Sequence, residues 1–329
     1  MVSTLQACRP FQPSRQVLRH LPLTTLTPDA CPAPRRTEPE AAGMQAMERE
    51  VEKVVASVEQ GEGRGARVKR SVGRKELRRL DPFLLLDEFS VRHPAGFPEH
   101  PHRGIQTITY MLKGSFRHQD SGGHEGVIHQ GDLQSLRAGR GVVHSEMPAS
   151  EGDNTGLQLW VNLPRVHKMV ELAYQDVRAS DVPEVTVEGA TIRVLAGEAE
   201  GVKSPLQTLT PVRYLAFHQQ PGAKVTHNLP RDWNAFIYVI TGTVAVGRGE
   251  EAREGGPHHT LVLGRGEAVT VCTVGPQKAH FVLVAGQPIE EPVVQSGPFV
   301  MNTQEEIDQA YQDFEMGRNG FEFSHKHRR

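Results

Sequence analysis

From residue 83 onward the chain reads as short apolar runs cut by turn residues. Residues 83–86 form one such run. Residues 105–112 are β-branched and aromatic and end at Lys113-Gly114. Residues 157–163 alternate and stop at Pro164. Each has the length, composition and bounding residues of a strand. A second series covers residues 191–195, 212–217, 236–240, 244–246, 260–263, 269–273 and 281–284. Residues 48–58 are ambiguous. Val51, Val54, Val55 and Val58 fit a helical spacing, yet valines favour a strand. One helix is signalled near the end. Thr303 and Glu306 have capping-box spacing. Ile307, Ala310, Tyr311 and Phe314 form an apolar stripe, and Gly317 and Gly320 suit its termination.

The two series look like copies. Tyr110-Met111-Leu112-Lys113-Gly114 matches Tyr238-Val239-Ile240-Thr241-Gly242, and Gln130-Gly131-Asp132 matches Arg265-Gly266-Glu267, at offsets of 128 and 135 positions. Duplicated sets of short strands predict an all-β chain of two tandem barrels or sandwiches with a short C-terminal α-helix. The expected organisation is a disordered extension over 1–50, a first barrel over 51–185, a second over 186–300, and the helix with a basic tail over 301–329.

Composition narrows the function. Hydrophobic residues are 37 %, charged residues 23 %, and the net charge is −2. That balance calls for neither nucleic acid nor an acidic membrane as a partner. No run approaches the length of a membrane-spanning helix. The cysteines, Cys8, Cys31 and Cys272, include no CxxC pair, so a disulfide framework or structural zinc is not expected. A reducing compartment, cytoplasm or nucleus, is the expectation. The first 28 residues hold Arg9, Arg15 and Arg19 and no acid. This is the composition of an organellar transit peptide. The alternatives are an unstructured extension, or a start at Met44 or Met47.

Two short pairs carry the chemistry: His100-Pro101-His102 and His144-Ser145-Glu146. On a strand, residues two apart share a face. Two such strands facing each other supply three imidazoles and a carboxylate, a set that suits a divalent first-row metal and leaves positions open. It is not the closed thiolate set of structural zinc. The competing interpretation is surface histidines, or core ones satisfied by backbone carbonyls. In the second copy the offsets bring Asn228 and Pro230, then Ala279 and Phe281, to the equivalent places. His227 and His280 sit one position off, on the opposite face, so no four-ligand site is expected there. His118, His124 and His129 read as an exposed loop, His258-His259 as a diverging pair, and His325 and His327 as part of a solvated tail.

The run Gly96-Phe97-Pro98-Glu99-His100-Pro101-His102-Arg103-Gly104, with Gly131-Asp132-Leu133-Gln134 and the stretch from Ala138 to Met147, resembles the pirin family of the cupin superfamily. Asp81-Pro82-Phe83-Leu84-Leu85-Leu86-Asp87-Glu88-Phe89 upstream and Gly297-Pro298-Phe299-Val300-Met301-Asn302-Thr303 downstream extend it, so that it covers about residues 60 to 322. The resemblance implies a bicupin with one metal in the first barrel, iron(II) above all, with manganese, nickel, copper or zinc as alternatives. It puts the ligands at His100, His102, His144 and Glu146. It also implies an activity of the quercetin 2,3-dioxygenase type, taking a small flavonol-like aromatic and dioxygen, with Glu146 as ligand and base. Gln106, where relatives often carry Glu, and Ser135-Leu136-Arg137, in place of a more apolar segment, put substrate preference in question.

The resemblance also implies an alternative function, a redox-sensitive transcription cofactor that binds a nuclear protein partner without turnover. Its support is a basic stretch, with Arg67, Lys69 and Arg70 as the candidate partner surface. The bland alternative is a solvated strand face. A monomer is expected, without direct binding of nucleic acid.

Overall fold

The computed structural model of the protein describes residues 46–322. The arginine-bearing N-terminal segment and the tail with His325 and His327 lie outside the described residues. Strands predominate. The first half contains β1 (Val51–Ala56), β2 (Val58–Glu62), β3 (Ala66–Val72), β4 (Phe83–Val91), β5 (Phe97–His102) and β6 (Ile105–Lys113). It continues with β7 (Ser115–Asp120), β8 (Glu125–His129), β9 (Leu133–Arg137), β10 (Val142–Pro148), β11 (Asn154–Asn162) and β12 (Ala173–Val177). Then follow β13 (Glu184–Val187), β14 (Ala190–Ala196), β15 (Glu198–Ala199), β16 (Val202–Lys203), β17 (Val212–Gln219), β18 (Lys224–Asn228) and β19 (Asn234–Thr241). The chain ends with β20 (Thr243–Val246), β21 (Arg253–Gly255), β22 (His259–Leu263), β23 (Ala268–Val274), β24 (Ala279–Gly286), β25 (Val294–Ser296), β26 (Phe299–Met301) and α1 (Gln304–Met316).

The repeat seen in sequence is a repeat of topology. One barrel joins a seven-stranded sheet, β12-β9-β6-β11-β4-β3-β2, to a four-stranded sheet, β5-β10-β7-β8. The other repeats this position for position, with β1-β22-β19-β24-β17-β14-β13 and β18-β23-β20-β21. The matched hairpin glycines are equivalent: Gly114 ends β6 at φ 76° and Gly242 ends β19 at φ 77°. Both need the left-handed conformation that glycine adopts without steric cost.

The large sheets pack back to back. Leu157, Leu159 and Val161 of β11 share one core with Tyr214, Phe236 and Val282 of the second barrel. Each such side chain contributes roughly 1.5–3 kcal/mol of burial. Polar groups fix the register of the two sheets. The Tyr238 hydroxyl donates to Glu88 at 2.7 Å, and His258 Nδ1 lies 2.8 Å from the same carboxylate.

The terminal segments cross over, which departs from the expected boundaries. The ambiguous region near residue 50 is a strand, and it pairs with β22 in the second barrel, Val55 opposite Thr260. Order begins before residue 51. The buried Arg49 donates to the carbonyls of Gly264 at 2.8 Å and Pro230 at 2.6 Å, again in the second barrel. An open edge on β22 and apolar positions at Val51 and Val55 favour this pairing. Conversely, β25, β26 and α1 return to the first barrel. Phe299 bridges to Arg103, and the Val300 amide donates to the Arg103 carbonyl at 3.1 Å. At Gly104, a Cβ would lie 1.9 Å from the Val300 carbonyl oxygen, so only glycine lets the hairpin seat here. Helix α1 begins at the expected capping box of Thr303 and Glu306 and ends at Gly317.

A buried lysine pins this hairpin. Lys168 Nζ donates to the carbonyls of Gly104 at 2.9 Å and Val300 at 3.0 Å and to Asn162 Oδ1 at 2.5 Å. Burial pulls its pKa from 10.5 down to about 7. The unfolded chain holds this proton up to the ordinary pKa, whereas the folded protein releases it above about 7. The contribution of Lys168 to stability therefore grows as pH rises across that window and is flat below it. Urea melts between pH 7 and 10 check this: the stability of the wild type relative to Lys168→Met is expected to increase with pH.

Candidate metal centre

The centre is built where β5 meets β10. These strands are antiparallel, with His100 directly opposite His144 and His102 opposite Val142. The two-residue period then brings His102 to the same face as His100. Ring centroids are 4.8 Å apart for His100 and His102, 4.5 Å for His100 and His144, and 5.1 Å for His102 and His144. One ring nitrogen from each lies within 4.8 Å of the other two.

His102 and His144 are buried, and burial, reinforced by the neighbouring imidazoles, drives both well below the ordinary histidine pKa. Both are neutral at pH 7, the form that ligates. His102 Nδ1 and both nitrogens of His144 have no hydrogen-bond partner among the described residues. A buried polar atom left alone costs about 1–3 kcal/mol. His100 Nδ1 lies 2.8 Å from the Pro98 carbonyl. Since a carbonyl only accepts, this bond puts the proton on Nδ1 and leaves Nε2 free as a ligand. Three converging imidazoles with unused nitrogens, two of them neutral, fit a divalent first-row metal.

Glu146 is the next inward residue of β10, buried, with an irregularity in pairing between it and His144. Its carboxylate stands outside the three-imidazole set. Gln158 Nε2 lies 3.2 Å from each of its oxygens, and Trp160 Nε1 donates to Gln158 Oε1 at 3.2 Å. The Trp160 ring meets His102 edge-on, 4.9 Å between centroids. A cavity of about 420 Å³ opens on His100, His102 and Glu146, walled by Phe89, Phe97, Trp160 and Pro298 among others. Pro298 belongs to the crossed-over C-terminal hairpin.

Several residues lie elsewhere than the sequence suggests. The basic stretch is not one face. Arg67 and Lys69 point outward, paired with Glu59 and, at 3.6 Å, with Glu88. Arg70 points inward and lines the cavity, bound to Asp87. His118 is buried on β7, opposite Glu146, with Nε2 3.3 Å from Asp176, rather than exposed on a loop. Gln106 faces away from the cavity, donating to Ser135 Oγ at 2.7 Å and the Gln207 carbonyl at 2.9 Å. Residues 135–137 do not line the cavity either. In the second barrel β18 and β23, not β24, are the counterparts of β5 and β10. His227 does point into that barrel, 3.3 Å from Glu200, but faces Val269 across the strands. The offset of 135 therefore misplaces this part of the repeat. Gln158, Trp160 and Asp87 were not singled out from sequence as site residues, and Arg70 was expected on a partner surface rather than in the cavity wall. The signal for Asp87 was an acid inside an apolar run; for Gln158, a polar residue at an alternate position.

Paired barrels of this topology, with a converging set of three imidazoles in the first alone among the described residues, define a bicupin. The chain belongs to the pirin family. It matches pirin over residues 65–161 and the pirin C-terminal cupin domain over residues 214–320. It is 53 % identical to a pirin-like protein of Solanum lycopersicum over 83 % of this chain and 94 % of the relative. It is 52 % identical to human pirin over 82 % of this chain and 93 % of that protein. A solved structure of quercetin 2,3-dioxygenase from Acinetobacter baumannii is 31 % identical, with a TM-score of 0.76, covering 82 % of this chain and 98 % of that one.

Proposed function

We propose that the protein is an iron(II)-dependent dioxygenase acting on flavonol-like aromatics, with His100, His102 and His144 retaining the metal and Glu146 beside them as a further, non-essential ligand and base. The observation that carries this is the convergence of three imidazoles, two of them buried and neutral, beside an aromatic-walled cavity. The name of the 31 % identical bacterial structure supports the reaction class. Bound iron would supply Lewis acidity toward a substrate hydroxyl and a redox partner for dioxygen. The protein does the rest. Phe97, Trp160 and Pro298 hold a planar ring and exclude water. Glu146 takes the hydroxyl proton, and Gln158 keeps its carboxylate oriented toward that proton.

Dioxygen uptake with quercetin tests the proposal. Iron-loaded wild type is expected to consume dioxygen, and His144→Ala to consume none. Elemental analysis should find about one iron per chain in wild type and none in His100→Ala/His102→Ala. Uptake unchanged in His144→Ala would reject the site. The partner-docking alternative has less support, because Arg67 and Lys69 are already ion-paired and Arg70 is turned away from the surface they share.

A further inference from the structure

The cavity wall holds an ion pair that metal binding does not use. Arg70 Nε donates to Asp87 Oδ1 at 2.9 Å, and Nη2 donates to Asp87 Oδ2 at 2.7 Å and Glu62 Oε2 at 2.9 Å. Nη1 makes no hydrogen bond among the described residues. All three side chains line the cavity, from the sheet that carries neither β5 nor β10. Arg70 is the one cation among the described lining residues, against the acids Glu62, Asp87, Glu99 and Glu146.

This arrangement is selective. A guanidinium held by two carboxylates is preorganised, so little freedom is lost when Nη1 finds an acceptor. The carboxylates keep spare lone pairs. An uncharged hydroxyl satisfies both groups, accepting from Nη1 and donating to a carboxylate. A carboxylate ligand meets an excess of negative charge in a partly desolvated wall. A bare aryl end leaves a donor and an acceptor stripped of water with nothing in return.

We propose that Arg70, with Asp87 and Glu62, is a specificity-determining subsite that selects an uncharged aryl hydroxyl on the part of the substrate remote from the metal-binding oxygens. The inference rests on reading the cavity as a flavonol pocket. The test is anaerobic calorimetric titration of the iron-loaded full chain with 3-hydroxyflavone and its 4′-hydroxy and 4′-carboxy derivatives, with dioxygen uptake measured separately for each. The 4′-hydroxy compound is expected to bind about tenfold or more tightly than the parent, and the 4′-carboxy compound no better than the parent. In Arg70→Gln/Asp87→Asn the preference of the 4′-hydroxy compound over the parent should shrink to about twofold or less. This double variant avoids the buried, uncompensated Asp87 that Arg70→Ala would leave, and the wild-type ligand series needs no substitution at all. Equal affinity for the three compounds in wild type, or a preference that survives in the double variant, overturns the subsite. Selective binding without dioxygen uptake supports the subsite and sinks the dioxygenase proposal. Uptake without selectivity does the reverse, and no binding by any compound overturns both.

Discussion

Asp313→Ala is expected to cost about 3–5 kcal/mol of folding stability, because it strands a buried cation. Arg103 and Asp313 are each 1 % exposed and lie 2.9 Å apart. Arg103 also donates to the carbonyls of Arg140 at 2.5 Å and Asn319 at 2.7 Å, and its guanidinium sits 4.9 Å from the Phe321 ring centroid. Asp313 belongs to α1, whereas Arg103 follows His102 directly. One ion pair thus ties the C-terminal helix to the strand that carries two of the candidate ligands. A urea melt of Asp313→Ala reads the global cost. Replacing both partners in Arg103→Met/Asp313→Leu should destabilise less than Asp313→Ala alone, since no charge remains buried without its partner. A single variant within about 1 kcal/mol of wild type would show that solvent reaches this pair.

The strand pattern was legible because short β-branched and aromatic runs end at turn residues, although burial alternates cleanly only in strands such as β13, β18 and β20. The convergence of His100, His102 and His144 was legible because i, i+2 spacing means one face on any strand. What the pattern could not show was which face is which. In β11, Leu157, Leu159 and Val161 are the apolar set, and they face the second barrel; Gln158 and Trp160 face the cavity. A strand buried on both sides carries no polar face to mark its outside. His118 was missed because β7 lies in a stretch rich in Gly, Gln and Asp, though Phe116 and His118 alternate with Arg117 and Gln119. The basic stretch misled in the opposite way. Grouping Arg67, Lys69 and Arg70 by charge ignored alternation, which sends Arg70 inward and Lys69 outward, while the irregular pairing between Arg70 and Val72 changes the count again. The crossed-over termini were beyond reach. Whether β1 completes one barrel or the other depends on which edge is open once the barrels dock, and no local feature of residues 51–56 encodes that.

The role of Glu146 separates the carboxylate from the imidazoles. Its oxygens are held by Gln158 Nε2 at 3.2 Å and stand outside the cluster of ring nitrogens. The three imidazoles alone are a sufficient set to retain a divalent metal. Glu146→Gln is therefore expected to keep about one iron per chain, yet to lower the rate of dioxygen uptake with quercetin about 10²–10⁴-fold, the contribution typical of a positioned general base. The amide matches the carboxylate in shape but cannot take a proton at pH 7. Gln158→Leu should act in the same direction with a smaller effect, because it frees the carboxylate to rotate without removing it. Iron analysis and oxygen uptake on the same preparations distinguish the roles. Loss of iron in Glu146→Gln would make the carboxylate an essential ligand. Full activity with full iron would remove it from the chemistry and leave the three histidines as the whole of the centre.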